Sequence, residues 1–226
     1  MVLSPNSAEI GLDLLIPPPR AQPRRKKPPQ QQVPRPHNVS APWEKNEKLG
    51  KVVYLTFDDG PHPVYTPQIL RLLAKFDASA TFFMVGQARR AYPRLVEQVA
   101  AAGHRIGNHS DTHTAMTSLT DAGVQHELRL GGASKCFRPP YGATNARVEK
   151  VVEAAGMRTV LWTVDPVDWK RRAASVTARS VLSAAVPGSI ILLHDGGGPR
   201  ERTVAATAKI LAELSAKGYH FHALPC

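Results

Sequence analysis

Residues 52–61 read VVYLTFDDGP and join an apolar, β-rich run to two adjacent carboxylates, Asp58 and Asp59. Successive side chains of a regular strand point to opposite faces, so two neighbouring aspartates inside the strand would not face one site. The Gly-Pro turn that follows ends the strand and lets both carboxylates turn toward one pocket. One of them could bind a metal ion there while the other moves a proton. A solvated turn is the alternative, and the stretch alone favours neither.

Downstream of Lys51, strand-like and helix-like segments alternate. The predicted strands are 52–57, 79–85, 105–109, 136–138, 158–164, 189–193 and 219–223. The predicted helices are 66–76, 91–102, 119–130, 145–155, 174–185 and 202–217. Such alternation is typical of an α/β fold with a parallel sheet and crossover helices. Seven strands and six helices favour an incomplete (β/α)7-type barrel, since a full eight-fold barrel needs about 250 residues.

Local signals mark several helix ends. Thr66 before Pro67 is typical of an N-cap followed by proline at the first helical position. Gly103, Gly156 and Gly218 each follow a helix-like run. They occupy the C′ position, where the chain turns left-handed at little cost to glycine. These signals support the helix boundaries given above.

Residues 1–50 differ from the rest in composition, because ten of the 20 prolines fall there, beside a basic run at 24–27 and three glutamines at 30–32. Proline-rich basic sequence favours extended polyproline II and buries little apolar area. We therefore predict a disordered Pro-rich basic linker at 1–50 and one folded domain at 51–226. The linker would be a simple solvated spacer or, alternatively, an electrostatic tether to an anionic polymer.

The formal net charge of +11 and the pI near 10 indicate a polyanionic neighbour such as an anionic cell wall, a membrane surface or nucleic acid. No regular basic stripe is interleaved with aromatic residues, so specific nucleic-acid binding is not predicted. No apolar run approaches the roughly 20 residues of a membrane span, and the N-terminus has no signal-peptide pattern. The two cysteines, Cys136 and Cys226, form no zinc-site pattern; a disulfide and free thiols both stay open.

Polar groups recur where the predicted strands end, and the carboxyl ends of parallel barrel strands face one common site. The first strand ends in Asp58 and Asp59. The later ends carry HSDTH at 109–113, RPPYG at 138–142, DPVDW at 165–169 and LLHD at 192–195. Titratable groups at five strand ends are an unusual outcome for a purely structural barrel, so the pattern predicts one functional site at this rim.

Two histidines four residues apart, His109 and His113, can present both imidazoles on one side of a turn, as metal sites require. Alone, this spacing has chance or surface placement as its simplest explanation. With a carboxylate from another strand end, the pair completes the two-His, one-Asp set of an open catalytic zinc site. Cobalt or nickel would suit the same nitrogen and oxygen ligands.

The remaining polar residues each have a structural alternative. Arg138 would be an ordinary ion-pair residue, although the stiff Pro-Pro-Tyr-Gly turn after it can aim a backbone N–H at an oxyanion. His194 would be a buried core histidine, or a proton donor tuned by Asp195 or Asp168. Trp169 would be a core residue or an apolar wall beside a ligand.

Taken in order, the five motifs resemble the polysaccharide deacetylase family, the carbohydrate esterases of family 4 with a NodB-like domain, from about Val52 to Leu224. The resemblance implies a metal site with the ligands Asp59, His109 and His113. It implies a catalytic group made of the base Asp58, its charge partner Arg138, the general acid His194 and its tuning residue Asp168. It also implies substrate contacts from the Tyr141 N–H to the oxyanion and from Trp169 and Leu192 to the acetyl methyl group.

The implied activity is zinc-dependent removal of N-acetyl groups from N-acetylglucosamine residues of a polysaccharide, with peptidoglycan as the expected polymer. Chitooligosaccharide deacetylation, acetylxylan esterase activity and a non-catalytic carbohydrate-binding module are the alternatives. The resemblance also implies an extracellular or cell-envelope location, and a monomer is the default expectation. One departure lies between His113 and Arg138, where the chain is shorter than the family pattern by about 7 residues, or two helical turns.

Overall fold

The computed structural model describes residues 50–226, so the predicted linker lies outside the described residues except for Gly50, and the domain boundary stays a prediction. The strands are β1 (Val52–Asp58), β2 (Thr81–Met84), β3 (Arg105–Asn108), β4 (Cys136–Phe137), β5 (Arg158–Thr159), β6 (Ile190–His194) and β7 (His220–Phe221). The helices are α1 (Tyr65–Lys75), α2 (Gly86–Ala91), α3 (Pro93–Ala101), α4 (Asp121–Gly131), α5 (Ala146–Ala154), α6 (Ala174–Ala184) and α7 (Glu201–Ala216). Short 3-10 segments lie at Met116–Ser118, Pro140–Gly142 and Asp168–Lys170.

All of these strands pair in parallel, in the order β5-β4-β3-β2-β1-β6, and β7 pairs with the start of β1. The segment after β5 continues the sheet past its edge. Its Val160 N–H donates to the carbonyl of Phe137, and its Val164 forms a parallel bridge with Ile191 of β6. The strands thus close into a small parallel ring, which confirms the predicted fold class. Their carboxyl ends share one rim.

The two faces of β1 have different surroundings, because side chains alternate along a strand. Val53, Leu55 and Phe57 are fully buried in the main apolar cluster, together with residues of α1 and α7. Burial of one such side chain contributes about 1.5–3 kcal/mol. Tyr54 belongs instead to the cluster inside the ring. Asp58 lies on the same inward face and is the last residue of β1, at the rim.

The observed elements lie within a few residues of the predicted ones, with two differences in extent. The predicted helix 91–102 is part of a pair, α2 and α3, because the chain turns at Tyr92 and Pro93 takes the first position of α3. The predicted strand 158–164 keeps regular ladder pairing only at β5, and Val164 then bridges to the opposite edge of the sheet.

The glycine signals for helix ends are confirmed, whereas the N-cap signal was wrong. Gly103, Gly156 and Gly218 have φ values of 81°, 71° and 78°, each two residues after a helix. Helix α1 begins at Tyr65, so Thr66 lies inside the first turn. The Thr66 hydroxyl instead accepts the nearby His62 N–H and donates to Asp195, and the contact with Asp195 is one that the local pattern does not reveal.

The segment between the predicted histidine pair and Arg138 contains a full helix. α4 has 11 residues, or about three turns, and its N-cap Thr120 accepts the Gly123 N–H at 3.2 Å. Val124 and Leu128 of α4 are buried against Val148 of α5. The expected shortening relative to the family stays a prediction, but the segment has its own apolar cluster. Within residues 50–226, no helix is both long enough and apolar enough to cross a membrane.

A disulfide joins Cys136 of β4 to Cys226, which settles the pairing that the sequence leaves open. The two Cα atoms are 5.1 Å apart, and the cysteines are 90 residues apart in sequence. The bond holds the C-terminal tail inside the ring, where Leu224 is buried beside Tyr54 and Phe83. A cross-link over such a long loop restricts the unfolded chain and so favours the folded state.

We expect Cys226→Ser to lower the free energy of unfolding by about 2–4 kcal/mol, because the unfolded chain regains the freedom that the cross-link removes. Urea unfolding at fixed pH, with and without a thiol reductant, measures the effect. Reductant should destabilise the wild type by a similar amount and leave the variant unchanged. Equal stability of the oxidised and reduced wild type would contradict the prediction.

Candidate metal and catalytic site

Asp58 and Asp59 turn toward the same histidine, as the opening stretch allows. Asp58 ends β1 on its inward face, and Asp59 has a φ of 73°, which redirects its side chain. Asp58 Oδ2 lies 3.8 Å from His109 Nε2, and Asp59 Oδ1 lies 3.4 Å from the same atom. The left-handed conformation of Asp59 is uncommon for a non-glycine residue. It is the feature that lets two consecutive carboxylates share one site.

The glycine loop after β6 leaves the room that Asp59 needs. A Cβ atom on Gly196 would collide with the backbone carbonyl of Asp59, and one on Gly197 would collide with its carboxylate. Gly197 also has a φ of 69°, a conformation that glycine adopts readily. The close approach of this loop explains why glycines, rather than larger residues, follow the last polar strand end.

Three ligand atoms converge at this rim. Asp59 Oδ1 is 3.0 Å from His113 Nε2, and the ligand atoms of Asp59, His109 and His113 all lie within 4.8 Å of one another. The His109 Nδ1 lies 2.7 Å from the Arg138 carbonyl oxygen, which can only accept a hydrogen bond. Nδ1 therefore carries the proton of a neutral His109, and Nε2 presents its lone pair to the other two ligand atoms.

The electrostatics of this cluster fit a bound cation. Burial favours a neutral His109, but the Asp58 and Asp59 carboxylates outweigh burial and raise its pKa. Burial likewise opposes ionisation of Asp59, yet the side chains of His109 and His113 hold the pKa of this carboxyl well below its usual range. Within residues 50–226, the buried Asp59 Oδ1 has no well-aligned hydrogen-bond donor. An ion of the zinc type would satisfy that oxygen and both imidazole lone pairs.

Arg138 is fully buried and faces Asp58 across the ring. Its Nη1 donates to Asp58 Oδ1 at 2.9 Å and to the Thr56 hydroxyl at 2.7 Å. Its Nε donates to the Val160 carbonyl at 3.0 Å, and the guanidinium stacks on the Phe83 ring at 4.0 Å. The cation thus has hydrogen-bond partners on several sides, as a buried charge requires. Because Asp58 Oδ1 is engaged, Oδ2 is the oxygen that faces the metal cluster.

His194 ends β6 beside Asp58 and is held by Asp168. Its Nδ1 lies 2.7 Å from Asp168 Oδ1, and its backbone N–H donates to Asp168 Oδ2 at 3.0 Å. Burial lowers the pKa of His194, but the Asp168 carboxylate, with smaller contributions from Asp59 and Asp58, raises it to about 9. The imidazole is therefore charged at neutral pH, and its Nε2 is left to carry a transferable proton.

The profile of the family named Polysaccharide deacetylase matches residues 45–160, about half of the chain. A peptidoglycan-N-acetylglucosamine deacetylase of Bacillus cereus is 43% identical over 191 residues, which are 79% of this chain and 88% of that relative. A chitooligosaccharide deacetylase of Azorhizobium caulinodans is 37% identical, over 76% of this chain and 92% of the relative. The chain belongs to the polysaccharide deacetylase family.

Among solved structures, the peptidoglycan deacetylase PdaC from Bacillus subtilis superposes with a TM-score of 0.72 at 32% identity. The match covers 77% of this chain and 88% of that structure. Both the fold class and the family resemblance drawn from the five motifs are thereby confirmed. The roles of individual side chains in this deacetylase rest on the geometry of its own site.

The three residues expected to contact substrate lie around this deacetylase site. Tyr141 has a φ of 62° and is largely exposed, and its hydroxyl lies 3.2 Å from His113 Nδ1. Within residues 50–226, no backbone carbonyl accepts the Tyr141 N–H, so that N–H is available to a ligand. Leu192 shares the inward face of β6 with His194, two residues earlier. Trp169 is half-buried and directly follows Asp168.

Asp195, one of the two tuning groups that the sequence offers for His194, points elsewhere. Its Oδ2 accepts the Thr66 hydroxyl, and its carboxylate packs against Gly60. Burial, together with the charges of Asp59 and Asp58, raises the pKa of Asp195 to about 7. Adjacent residues at a strand end face opposite sides, which separates Asp195 from the His194 ring.

Sequence reasoning missed several side chains that hold this site together. They are Thr56 against Arg138, Thr203 against Asp168, Glu127 against the histidine loop and Arg200 near Asp59. Thr203 Oγ1 donates to Asp168 Oδ2 at 2.8 Å, and Arg200 Nη2 lies 3.8 Å from Asp59 Oδ2. Each of these residues looks ordinary in the sequence, because its partner lies on another element. Only a spatial contact identifies it.

We expect Arg138→Met to lower the free energy of unfolding by about 3–5 kcal/mol, because it leaves the Asp58 carboxylate buried without its cation. Denaturant unfolding of the metal-free protein measures this loss. Arg147→Met is the matched control: it breaks the exposed pair with Asp121, worth about 0–1 kcal/mol, and a hydrogen bond to the Leu119 carbonyl, worth about 0.5–1.5 kcal/mol. Similar losses in the two variants would refute the special role of the buried pair.

We expect Asp168→Asn to lower the pKa of His194 by about 1–3 units, because the Asp168 carboxylate is the main group that raises it. NMR titration of the imidazole resonances measures the change, and the alkaline limb of any rate profile should move to lower pH. Thr203→Val removes only a hydroxyl bond to Asp168, so it should leave the pKa near the wild-type value. An unchanged His194 pKa in Asp168→Asn would show that the assigned cause is wrong.

Proposed function

We propose that this protein is a zinc-dependent hydrolase that removes N-acetyl groups from N-acetylglucosamine residues of peptidoglycan. One observation carries the proposal: three groups of side chains lie together at one rim. They are the three-ligand cluster, a carboxylate paired with a buried arginine, and a charged histidine paired with a buried aspartate. These are the parts that metal-assisted hydrolysis of an amide needs. Fold alone does not establish an activity, so the argument rests on this site.

Asp59, His109 and His113 would hold the metal ion. Zn²⁺ suits a set of two imidazoles and one carboxylate, and Co²⁺ or Ni²⁺ could replace it. When bound, Zn²⁺ supplies Lewis acidity toward the acetyl carbonyl and toward an attacking water. Family membership supports a metal-dependent enzyme, and the choice of zinc is part of the proposal.

Asp58 would act as the general base. Arg138 occupies its Oδ1 and leaves Oδ2 facing the metal cluster, where it can accept a proton from the attacking water. A base that is held in one orientation by a buried guanidinium needs little rearrangement during catalysis.

His194 would protonate the leaving amine. Amides have a poor leaving group, so the step needs an acid that is charged at neutral pH, and Asp168 supplies that charge state. The Tyr141 N–H would donate to the oxyanion that forms at the acetyl carbon. Leu192 and Trp169 would provide apolar contacts for the acetyl methyl group.

Peptidoglycan is favoured as the polymer by the Bacillus relatives and by the charge of the chain. The net charge of +11 suits an anionic wall, and the exposed residues Lys170, Arg171 and Arg172 follow Asp168 and Trp169 at the rim. The similarity to a chitooligosaccharide deacetylase makes chitooligosaccharides the second candidate. O-acetylated xylan would use the same chemistry. A non-catalytic carbohydrate-binding module is disfavoured, because it has no use for two buried charge pairs.

The disulfide supports an extracellular or cell-envelope location, since such bonds persist mainly in oxidising compartments. We propose a monomer that acts on acetylated glycan without specific nucleic-acid contacts.

Acetate release from peptidoglycan, N-acetylglucosamine oligomers and acetylated xylan tests the proposal, with a chelator and with added zinc. We expect metal-dependent release, fastest on peptidoglycan, and loss of at least about 100-fold in Asp58→Asn, since general bases contribute 10²–10⁴-fold. Asp59→Ala should lose bound metal and activity together. His194→Ala should keep the metal and lose turnover.

Each alternative has its own outcome in this experiment. Faster acetate release from N-acetylglucosamine oligomers or from xylan would identify that polymer, rather than peptidoglycan, as the preferred substrate. Metal binding without release from any of the three polymers would favour the binding-module alternative. Loss of metal in both Asp59→Ala and His194→Ala would contradict the separate roles given to these residues.

A further inference from the structure

The loop that carries both histidines, residues 109–113, has an unfavourable backbone conformation. Ser110 and His113 have φ values of 64° and 59°, in the left-handed region that non-glycine residues rarely adopt. Such conformations persist only where the surrounding structure determines them. The contacts that hold this loop therefore decide where the His113 imidazole points.

Glu127 of α4 supplies direct contacts to the loop from another element. Its Oε2 accepts the backbone N–H groups of Asp111 and Thr112, both at 2.8 Å, and its Oε1 accepts the Thr112 hydroxyl at 2.7 Å. The Glu127 residue is only 7% exposed. Hydrogen bonds to a buried carboxylate are stronger than those to a neutral acceptor, so these three contacts restrain the loop firmly.

Two further N–H groups of the loop are held within its own segment, and the His109 N–H donates to the Met84 carbonyl of β2 at 3.1 Å. Asn108 Oδ1 accepts the Ser110 N–H at 2.9 Å, and Ser110 Oγ accepts the His113 N–H at 3.0 Å. The Asn108 amide in turn donates to the Leu128 carbonyl of α4 at 2.7 Å. The restraint through Asn108 therefore leads back to α4, and Glu127 is the side chain of this helix that contacts the loop. The Gly86 and Gln87 N–H groups of α2 donate to loop carbonyls from the other side.

We propose that Glu127 is a positioning residue of the metal site: its carboxylate fixes the 109–113 loop so that His113 Nε2 faces Asp59 Oδ1. The inference rests on the proposed metal function of this cluster. Glu127 itself contacts only the loop and would act through His113. Partners that orient metal ligands typically change metal affinity by 10–100-fold when they are replaced.

The test is the Zn²⁺ affinity of the full chain, measured by competition with a chromogenic chelator. Glu127→Gln keeps the size of the side chain but replaces a charged double acceptor by a neutral amide. We expect its zinc dissociation constant to rise about 10–100-fold. Glu149→Gln on α5 is the matched control, because Glu149 accepts the Thr144 hydroxyl on another helix. This control should bind zinc as the wild type does.

Thermal unfolding of the metal-free proteins separates positioning from general destabilisation. Wild-type zinc affinity in Glu127→Gln, at any thermal stability, would overturn the proposal. Thr112→Val provides a second test if Glu127→Gln does not fold, because Thr112 is exposed and the change removes only its hydroxyl contacts, with Glu127 Oε1 and with the Thr114 hydroxyl. We expect about a 3-fold weaker zinc affinity, corresponding to one hydrogen bond.

The remaining outcomes also decide the question. An unchanged affinity in Thr112→Val, when Glu127→Gln cannot be measured, would contradict the positioning role. Failure of the wild type to bind zinc would overturn both this inference and the proposed metal function. If the wild type binds zinc and both Glu127→Gln and Glu149→Gln weaken that binding equally, the proposed metal function stands and only the role of Glu127 is refuted.

Discussion

The buried Arg138 guanidinium is the interaction on which the rest of the site depends. It joins Asp58 and Thr56 of β1 to the Val160 carbonyl after β5, so one side chain spans the interior of the ring. The Arg138 backbone carbonyl also receives the Nδ1–H of His109. The same residue therefore orients the carboxylate proposed as the base and one imidazole of the proposed metal cluster. A buried cation with fewer partners would be destabilising, and the site satisfies it by using its own functional groups.

Asp58 and Asp59 are adjacent in sequence but have different environments, and those environments separate their chemistry. Asp58 faces the guanidinium and keeps one oxygen toward the metal cluster, whereas Asp59 lies between two imidazoles. The left-handed backbone at Asp59 makes this possible, and the close-packed Gly196 makes room for it. Two identical carboxylates thus acquire two different surroundings, as the two roles proposed for them require.

The supporting contacts come from helices rather than from the strand ends that carry the reactive groups. Thr203 of α7 donates to Asp168, and Glu127 of α4 accepts the backbone of the histidine loop. In this way the outer helices hold both the Asp168 carboxylate that faces His194 and the loop that carries the histidine pair. Groups that are already oriented by such hydrogen bonds from the helices lose little conformational freedom when a substrate binds.

Three features were readable in the sequence, because each is a property of neighbouring residues. They are the alternation of strands and helices, the glycines at helix ends and the polar residues at strand ends. Those features were enough for the fold class and for the residues of the rim. The partner of each polar group was decided by the tertiary structure. Arg138 and Asp58 are 80 residues apart in sequence, and Cys136 and Cys226 are 90 residues apart. Glu127 lies 16 residues after Asp111 of the histidine loop. Such pairs have no local signature, since they form only when the closed ring brings distant segments together.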